Sequence, residues 1–351
     1  MRALVDFNTA ELQRQISDWG FKPSHAARVL RAYYADGALD AEKLRLPAPL
    51  LEKLRALPAA AQSLAARQQG EDGTTKLLLR LADGRTVESV LMPDFRDDRA
   101  AGCLSSQVGC AMGCDFCATT KTGFERNLTA GEMVGQFLAL RREALAAGRR
   151  LQTIVFMGMG EPMLNLDAVL EAVRRIGDNS LGALGWRQLT VSTVGLVPGI
   201  DALAASGLNV HLAISLHAPD DATREKLLPA GRRFVIAEIM AAADRYQART
   251  GRPVTLQYCL LKGVNDSPEQ ARQLALLLAT RRMHLNLLRY NPTGLSLRGL
   301  SYEPVADADA EAFINLLRAN GVVAHFRRSR GPDIAAACGQ LRERERRTGQ
   351  S

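Results

Sequence analysis

The stretch that decides the fold reads Cys103-Leu-Ser-Ser-Gln-Val-Gly-Cys110-Ala-Met-Gly-Cys114-Asp-Phe-Cys117 and continues to Arg126-Asn127-Leu128-Thr129. Three of the six cysteines fall within eight positions, spaced C-x3-C-x2-C. One short loop therefore carries three thiols. A zinc ion would want a fourth ligand close by, usually Cys or His, and none of the five histidines lies in this stretch. A cubane of four irons is normally held by four thiolates. Three thiolates leave one iron open to bind a small molecule and pass it an electron. The plain alternative is three buried structural thiols, but chance rarely packs cysteines this tightly in a globular chain.

Working outward, 351 residues predict one large domain or two, enough to bury a sizeable core. The charged fraction of 23% and the hydrophobic fraction of 47% are ordinary for a globular protein. No run of 18 apolar residues occurs, so neither a transmembrane helix nor a membrane partner is expected. The opening Met1-Arg2-Ala3-Leu4-Val5-Asp6 meets acid at once and lacks a signal-peptide core. The clustered thiols then fit a reducing cytoplasm and a metal site rather than disulfides. The net charge of +8 favours a polyanionic partner such as RNA.

From Cys103 onward, short apolar segments alternate with amphipathic ones. Strands are expected over 103–108, 153–157, 189–193, 211–216, 254–261 and 285–290. Helices are expected over 129–148, 166–177, 199–206, 233–249, 267–281 and 307–319. Six βα units in series predict an α/β fold with a parallel sheet and outer helices, a partial (β/α)6 barrel of the TIM type. A seventh strand over 322–328 and a last helix after Pro332 complete it. No Gly-x-Gly-x-x-Gly turn points to a dinucleotide fold. The tail from Arg342 to Arg347 reads as a solvated helix end.

Upstream, residues 1–60 read as a small helical accessory domain, with Asn8-Thr9 and Lys22-Pro23-Ser24 as helix starts and Pro58 as a stop. Trp19, Phe21, Tyr33 and Tyr34 stand among basic residues there. Two readings fit, a small core of the segment's own and an RNA-docking module. Residues 61–100 read as a β-hairpin extension. Leu77, Leu79 and Leu81 alternate, Asp83-Gly84 turns, and Val87, Ser89 and Leu91 alternate back. Glu88 falls on the other face, where composition alone makes it a solvated residue. The third unit, 101–345, holds the barrel and a C-terminal cysteine loop.

Active sites of parallel α/β barrels form at the carboxyl ends of the strands. The expected strand ends there carry the cysteine loop, Gly158-Met159-Gly160-Glu161-Pro162, Ser192-Thr193-Val194-Gly195, Ser215-Leu216-His217 and Asn291-Pro292. Each has a bland reading: a turn at Gly-Glu-Pro, a strand-end cap at Ser192, a helix cap at His217, a turn start at Asn291. Cys259 sits in an apolar run and reads as core.

The C-x3-C-x2-C spacing resembles that of the radical S-adenosylmethionine (SAM) enzymes. Six blocks in order extend the resemblance: Val87-Glu88-Ser89-Val90-Leu91-Met92-Pro93, the Cys103–Cys110 stretch, Gly123-Phe124-Glu125-Arg126-Asn127-Leu128-Thr129, Gly158-Met159-Gly160-Glu161-Pro162, Ser215-Leu216-His217-Ala218 and Ala337-Cys338-Gly339-Gln340-Leu341. Together, over about residues 85 to 341, they are similar to the RlmN/Cfr family of radical-SAM RNA adenine methyltransferases. Two places depart from that family's common pattern: Ala118-Thr119-Thr120-Lys121 after the last cluster cysteine, and Val194 in Ser192-Thr193-Val194-Gly195.

The resemblance implies a [4Fe–4S] cluster on Cys110, Cys114 and Cys117, with two SAM molecules used per turnover. SAM would lie against Gly160, Glu161, Ser192, Ser215, Leu216, His217 and Asn291. One SAM would methylate Cys338, and a deoxyadenosyl radical from the second would take hydrogen from that methyl group. The resulting carbon would add to an electron-poor ring carbon of adenine, and Glu88 would accept the proton. Cys103 would then attack the Cys338 sulfur, releasing methylated base and leaving a transient disulfide. The implied substrate is large-subunit ribosomal RNA, and tRNA beside it, methylated at adenine C2. The implied partners include an electron donor such as a flavodoxin-type protein, and the chain is expected to act as a monomer in the cytoplasm. The residues leave alternatives open: C8 of the same base, a radical-SAM maturase acting on protein, or a non-catalytic metal-stabilised RNA-binding protein. The maturase leaves Cys103 and Cys338 unexplained, and the structural metal leaves the three-thiol spacing unexplained.

Overall fold

The computed structural model describes residues 2–36, 39, 44–58, 62–181 and 184–341; the tail from Arg342 to Arg347 lies outside them. Asn8 opens the first helix by a reciprocal cap. Its Oδ1 accepts from Glu11 N at 2.9 Å, and Glu11 Oε2 accepts from Asn8 N at 3.0 Å. The helices α1 (Thr9–Asp18), α2 (His25–Asp36) and α3 (Ala48–Arg55) follow. Their inner residues Leu12, Ile16, Leu30, Tyr34 and Leu50 do not close a separate core; they join one buried cluster with the rest of the chain. Too few apolar side chains are available for a core of their own. The seam is polar as well as apolar, with Asn8 Nδ2 donating to Glu171 Oε1 at 3.2 Å and the Tyr34 and Phe137 rings 6.4 Å apart.

The sheet begins with β1 (Gln62–Gln69), β2 (Thr75–Leu81), β3 (Thr86–Pro93) and β4 (Arg99–Cys103), each antiparallel to the next. The β2–β3 hairpin turns where Asp83-Gly84 predicted, with Gly84 at φ +82°. β1 carried no alternation to read, because nearly all of it is exposed at the sheet edge.

After β4, the strands β5 (Gln107–Gly109) and β6 (Phe124–Asn127) form a separate ribbon on either side of the short helix α4 (Ala118–Lys121). α5 (Ala130–Ala146) starts on Thr129, whose Oγ1 accepts from Glu132 N at 3.1 Å. Then β and α alternate: β7 (Arg150–Phe156), α6 (Leu166–Ile176), β8 (Leu189–Thr193), α7 (Val197–Ala205), β9 (His211–Ser215), α8 (Asp221–Leu227), α9 (Ile236–Thr250), β10 (Val254–Leu260), α10 (Pro268–Leu278), β11 (His284–Arg289), α11 (Asp307–Ala319) and β12 (Val323–Arg327). Among the described residues, one sheet runs β1-β2-β3-β4-β7-β8-β9-β10-β11-β12. Every pair from β4 onward is parallel. This is the expected partial barrel, with β1–β3 prolonging its wall.

Three expectations are corrected. The first barrel strand ends at Cys103 rather than starting there. Ser105 stops it: its Oγ donates to the Glu88 carbonyl at 2.7 Å and accepts from Met159 N at 2.9 Å, and its N–H donates to Gln136 Oε1 at 2.8 Å. The segment after Pro332 is a series of turns, not a helix, because Gly331, Ala335 and Gly339 all take positive φ. Glu88 is buried at 5% exposure rather than solvated, because the C-terminal loop packs near that face of the hairpin.

Candidate active site

Strand pleating assigns the faces. A Cβ on Gly102 would meet Leu140 of α5, so the neighbouring Cys103 faces the opposite way. Ser89 Oγ donates to Gln136 Oε1 of α5 at 2.8 Å, so Glu88 also faces away from α5. Register aligns Lys76 with Val90 and Val90 with Cys103, and Leu78 with Glu88. Lys76, Glu88 and Cys103 therefore share one face. Lys76 Nζ lies 3.2 Å from Glu88 Oε1, and both side chains are almost wholly buried.

The C-terminal loop reaches the same place. Ala118 N donates to Gly339 O at 2.6 Å, joining the residue after Cys338 to the residue after Cys117. Cys103 is buried, and burial pushes its thiol up to about 12, with the charge of Cys338 the next cause. The two thiols are thus electrostatic neighbours although 235 positions separate them. Cys338 keeps surface open to solvent, yet surrounding protein still raises its pKa, first by desolvation and then through Cys117. Both cysteines are free thiols.

Cys110, Cys114 and Cys117 lie on the loop between β5 and α4. Burial pushes Cys110 up to about 12, opposed by the N–H groups of Met112 and Gly160 turned toward its sulfur. Cys114 is raised well above its ordinary value, by burial first and then by Cys117 and Cys110, so the three thiols sense one another. The loop is pinned from several sides. Thr120 Oγ1 donates to the carbonyls of Cys114 at 3.1 Å and Cys117 at 3.0 Å, and Asp115 N donates to Leu227 O at 2.9 Å. Lys121 Nζ reaches Thr293 Oγ1 at 3.3 Å. Both residues belong to the segment that departs from the family pattern, and here they brace it.

No three potential ligands among the described residues converge as one metal ion would require. A cubane makes no such demand, since each thiolate binds a different iron. The donor set fits it: three mutually sensitive thiols and N–H groups aimed at one sulfur. Arg224 adds a cation. It is 2% exposed, its guanidinium donates to the Val194 carbonyl, and burial lowers its pKa to about 10 against the opposing charge of Cys114. Nothing in the sequence singled out Arg224.

At the next strand ends, Gly160 takes φ +100°, and a Cβ there would sit 2.5 Å from Gln107 Cβ. Gln107 Oε1 accepts from Glu161 N at 2.8 Å. Glu161 turns inward: Oε1 accepts from Met163 N at 3.0 Å and Oε2 from Val194 N at 2.9 Å. Burial pushes its carboxyl up to about 7 despite those bonds. Val194 contributes its backbone N–H here, a bond that does not depend on its side chain. Ser192 and Ser215 are half-buried at the rim, and neither hydroxyl has a hydrogen-bond partner among the described residues. Two such hydroxyls suit a polar ligand. Asn291 is buried and donates to the Arg289 carbonyl at 3.3 Å.

His217 is not a helix cap; Asp220 caps α8 by accepting from Thr223 N at 2.8 Å. His217 is buried at φ +58°, and its Nδ1 accepts from Cys259 N at 2.9 Å. That bond leaves the proton on Nε2. Burial, then Arg224, lowers its pKa to about 3, so the ring stays neutral. Its edge meets Phe116 of the cysteine loop at 5.0 Å. Leu216 is wholly buried beside it. Cys259 is core as expected, but it lies under the cysteine loop, in a cluster with Leu227, Tyr290 and Tyr302 that packs Cys114 and Phe116.

Barrel, three-thiol loop and glycine-bearing strand ends together define a radical-SAM enzyme. The Radical SAM superfamily model matches residues 104–275, a family that implies a [4Fe–4S] cluster and SAM. A crystal structure of a radical SAM methyltransferase from Sphaerobacter thermophilus aligns with TM-score 0.91 and 44% identity, covering 97% of this chain and 99% of that one. Over 342 residues the chain is 70% identical to a protein from Opitutus terrae named probable dual-specificity RNA methyltransferase RlmN 1, covering 97% of this chain and 96% of the other. It is 42% identical over 347 residues to the probable dual-specificity RNA methyltransferase RlmN of Symbiobacterium thermophilum, covering 98% of this chain and 92% of that protein. The chain belongs to the RlmN family of radical-SAM methyltransferases.

Proposed function

We propose that this enzyme methylates C2 of adenine in large-subunit ribosomal RNA and in tRNA through an S-methylcysteine on Cys338. The observation that carries the reading is the proximity of Cys338, whose charge acts on the buried Cys103 thiol, with Glu88 on the sheet face that bears Cys103. The names of the relatives support RNA as substrate. Cys110, Cys114 and Cys117 hold the cluster, and the rim residues Gly160, Glu161, Ser192, Ser215, Leu216, His217 and Asn291 hold SAM. When bound, cluster and SAM supply methyl groups and a carbon radical, which ring carbons as weakly nucleophilic as adenine C2 require.

The residues of the chain do the rest. Cys338 is open enough to meet SAM and base in turn. Glu88 accepts the proton lost from the ring carbon. The Cys103 thiolate attacks the Cys338 sulfur, the carbon–sulfur bond breaks, the departing carbon keeps the electron pair and takes up a proton to become the methyl of the base, and the disulfide left behind must be reduced before the next turnover. Burial keeps Cys103 protonated at rest.

The same reading assigns residues 1–60 to RNA docking, 61–100 to the wall that carries Glu88, and 101–345 to the barrel. It adds a flavodoxin-type electron donor, a monomeric state and a cytoplasmic setting. No helix among the described residues is long and apolar enough to cross a membrane. The test is mass spectrometry of nucleosides from RNA incubated with cluster-loaded enzyme, SAM and a reductant. 2-Methyladenosine is expected, 8-methyladenosine would move the target carbon, and no methylated adenosine in ribosomal RNA or tRNA would refute the reading.

A further inference from the structure

Arg224 is a buried cation whose charge is matched by no carboxylate. It is 2% exposed, and among the described residues no acid lies within ion-pair distance of it. The acids beside it in the chain are engaged elsewhere: Asp220 Oδ1 accepts from Thr223 N at 2.8 Å, and Asp221 Oδ1 accepts from Ile236 N at 2.7 Å. One guanidinium nitrogen donates to the Val194 carbonyl, while Nε, sealed from solvent, has no acceptor among the described residues. An unpaired charge in a protein interior is strongly disfavoured. Its placement is therefore informative. Arg224 and Leu227 stand three apart on α8, on one face of the helix. Leu227 O accepts from Asp115 N of the cysteine loop at 2.9 Å, and Leu227 belongs to the apolar cluster against which Cys114, Phe116 and Val194 pack. Of the anionic groups that act on Arg224, Cys114 is the strongest and Asp221 follows. The charge thus sits behind the cysteine loop, in apolar surroundings where it is felt more strongly than at the surface.

We propose that Arg224 sets the reduction potential of the cluster: its buried guanidinium, matched by no carboxylate, favours the added negative charge that the three-thiolate loop carries when the cluster takes one electron from its donor. The inference rests on the proposed ligands Cys110, Cys114 and Cys117. Charge around a cluster is one of the factors that set its potential. Arg224 acts through the cluster, so it is a positioning residue rather than a catalytic one. Two substitutions separate its charge from its bond to the β8–α7 loop. Arg224→Gln still carries a donor for the Val194 carbonyl but no charge. Arg224→Lys carries both.

The test uses the full chain, loaded with cluster under anaerobic conditions and free of SAM, as wild type, R224Q and R224K. The fraction of reduced cluster is read by electron paramagnetic resonance against the applied potential, and iron and sulfide content checks that loading is equal. R224Q should be about tenfold harder to reduce at a fixed potential, the scale of one buried unit charge at an effective dielectric of about 20, which is a downward shift of about 59 mV for a one-electron couple. R224K should stay within about threefold of wild type, because the charge is kept. An R224Q potential equal to that of wild type would overturn the proposal, as would an R224K shift as large as that of R224Q. A shift that appears only once SAM is added would also overturn it, by assigning Arg224 to SAM instead. If R224Q fails to load, R224K decides: loading with a potential inside the threefold range supports the role of the charge, and loss of loading or a tenfold shift overturns it. Wild-type protein without labile sulfide would instead refute the parent assignment of the three cysteines.

Discussion

Asp115, between two cluster cysteines, offers the sharpest test of how the loop is held. It is 2% exposed and accepts from Tyr302 OH at 2.6 Å, from Arg298 Nε at 3.2 Å and from Arg298 N at 3.3 Å. Arg298 also donates to the Lys226 carbonyl at 2.7 Å, so one carboxylate joins the cysteine loop, the 294–300 loop and the end of α8. Asp115→Ala removes all three bonds to the carboxylate. The buried Tyr302 hydroxyl is left without its strong acceptor, a loss of about 1–3 kcal/mol. Arg298 is nearly half exposed, so water replaces much of its share and the ion pair contributes at most ~1 kcal/mol. The sum, about 1–4 kcal/mol, falls on local opening of the loop rather than on global unfolding. That corresponds to a rise of roughly 5- to 1,000-fold in the open population. The assay is the rate at which a strong chelator strips iron from reconstituted, anaerobic protein, with the melting temperature alongside. Tyr302→Phe removes one bond and should accelerate release by about tenfold, from ~1.4 kcal/mol. Iron release in Asp115→Ala within about threefold of wild type would refute the reasoning.

Other outcomes follow from the same geometry. Cys338→Ala should abolish RNA methylation and protein methylation, whereas Cys103→Ala should accumulate RNA covalently joined to Cys338, visible as a denaturation-resistant band; normal turnover by either variant would refute the proposed route. Gly160→Ala drives a Cβ into Gln107 and forces alanine to φ +100°, so it should destabilise the protein by about 2–5 kcal/mol and weaken SAM binding, checked by denaturation and calorimetry. Burial holds Cys103 at about 12, so its alkylation by a small reagent in the cluster-loaded enzyme, read by peptide mass, should climb about tenfold per pH unit from 7 to 10 without a plateau; a plateau near pH 8 would contradict that burial. Arg327 and Arg328 stand at the carboxyl end of β12, on the rim that bears the thiols, whereas Arg149, Arg150, Arg281 and Arg282 stand at the amino ends of β7 and β11. Arg150 and Arg281 are also engaged by Asp98 at 2.6 Å and Asp244 at 3.1 Å. Arg328→Ala should therefore lower the salt slope of RNA binding by about one unit, and Arg282→Ala should leave it unchanged in a filter-binding titration.

The sequence by itself determined the cofactor chemistry and the parallel barrel. Thiol spacing is local, and each βα unit carries its own hydrophobic period, so both are written within short windows. The strand-end residues Gly160, Ser192, Ser215 and Asn291 could be foreseen because a parallel sheet sends all its carboxyl ends to one rim. What the sequence did not determine depends on contacts between distant segments. Glu88 reads as solvated until the C-terminal loop packs near its face of the hairpin. The segment after Pro332 reads as helical until the β1–β2 turn and α4 hold it in three left-handed turns. Lys76 and Arg224 look like surface cations in a one-dimensional reading; only the fold supplies the carboxylate, the carbonyls and the thiol that make their burial tolerable. The nearness of Cys103 to Cys338 was implied only by the family resemblance; its 235-residue separation carries no periodic signal, and closure of the wall by β1–β4 and the C-terminal loop is what brings Cys103 within reach of the charge on Cys338.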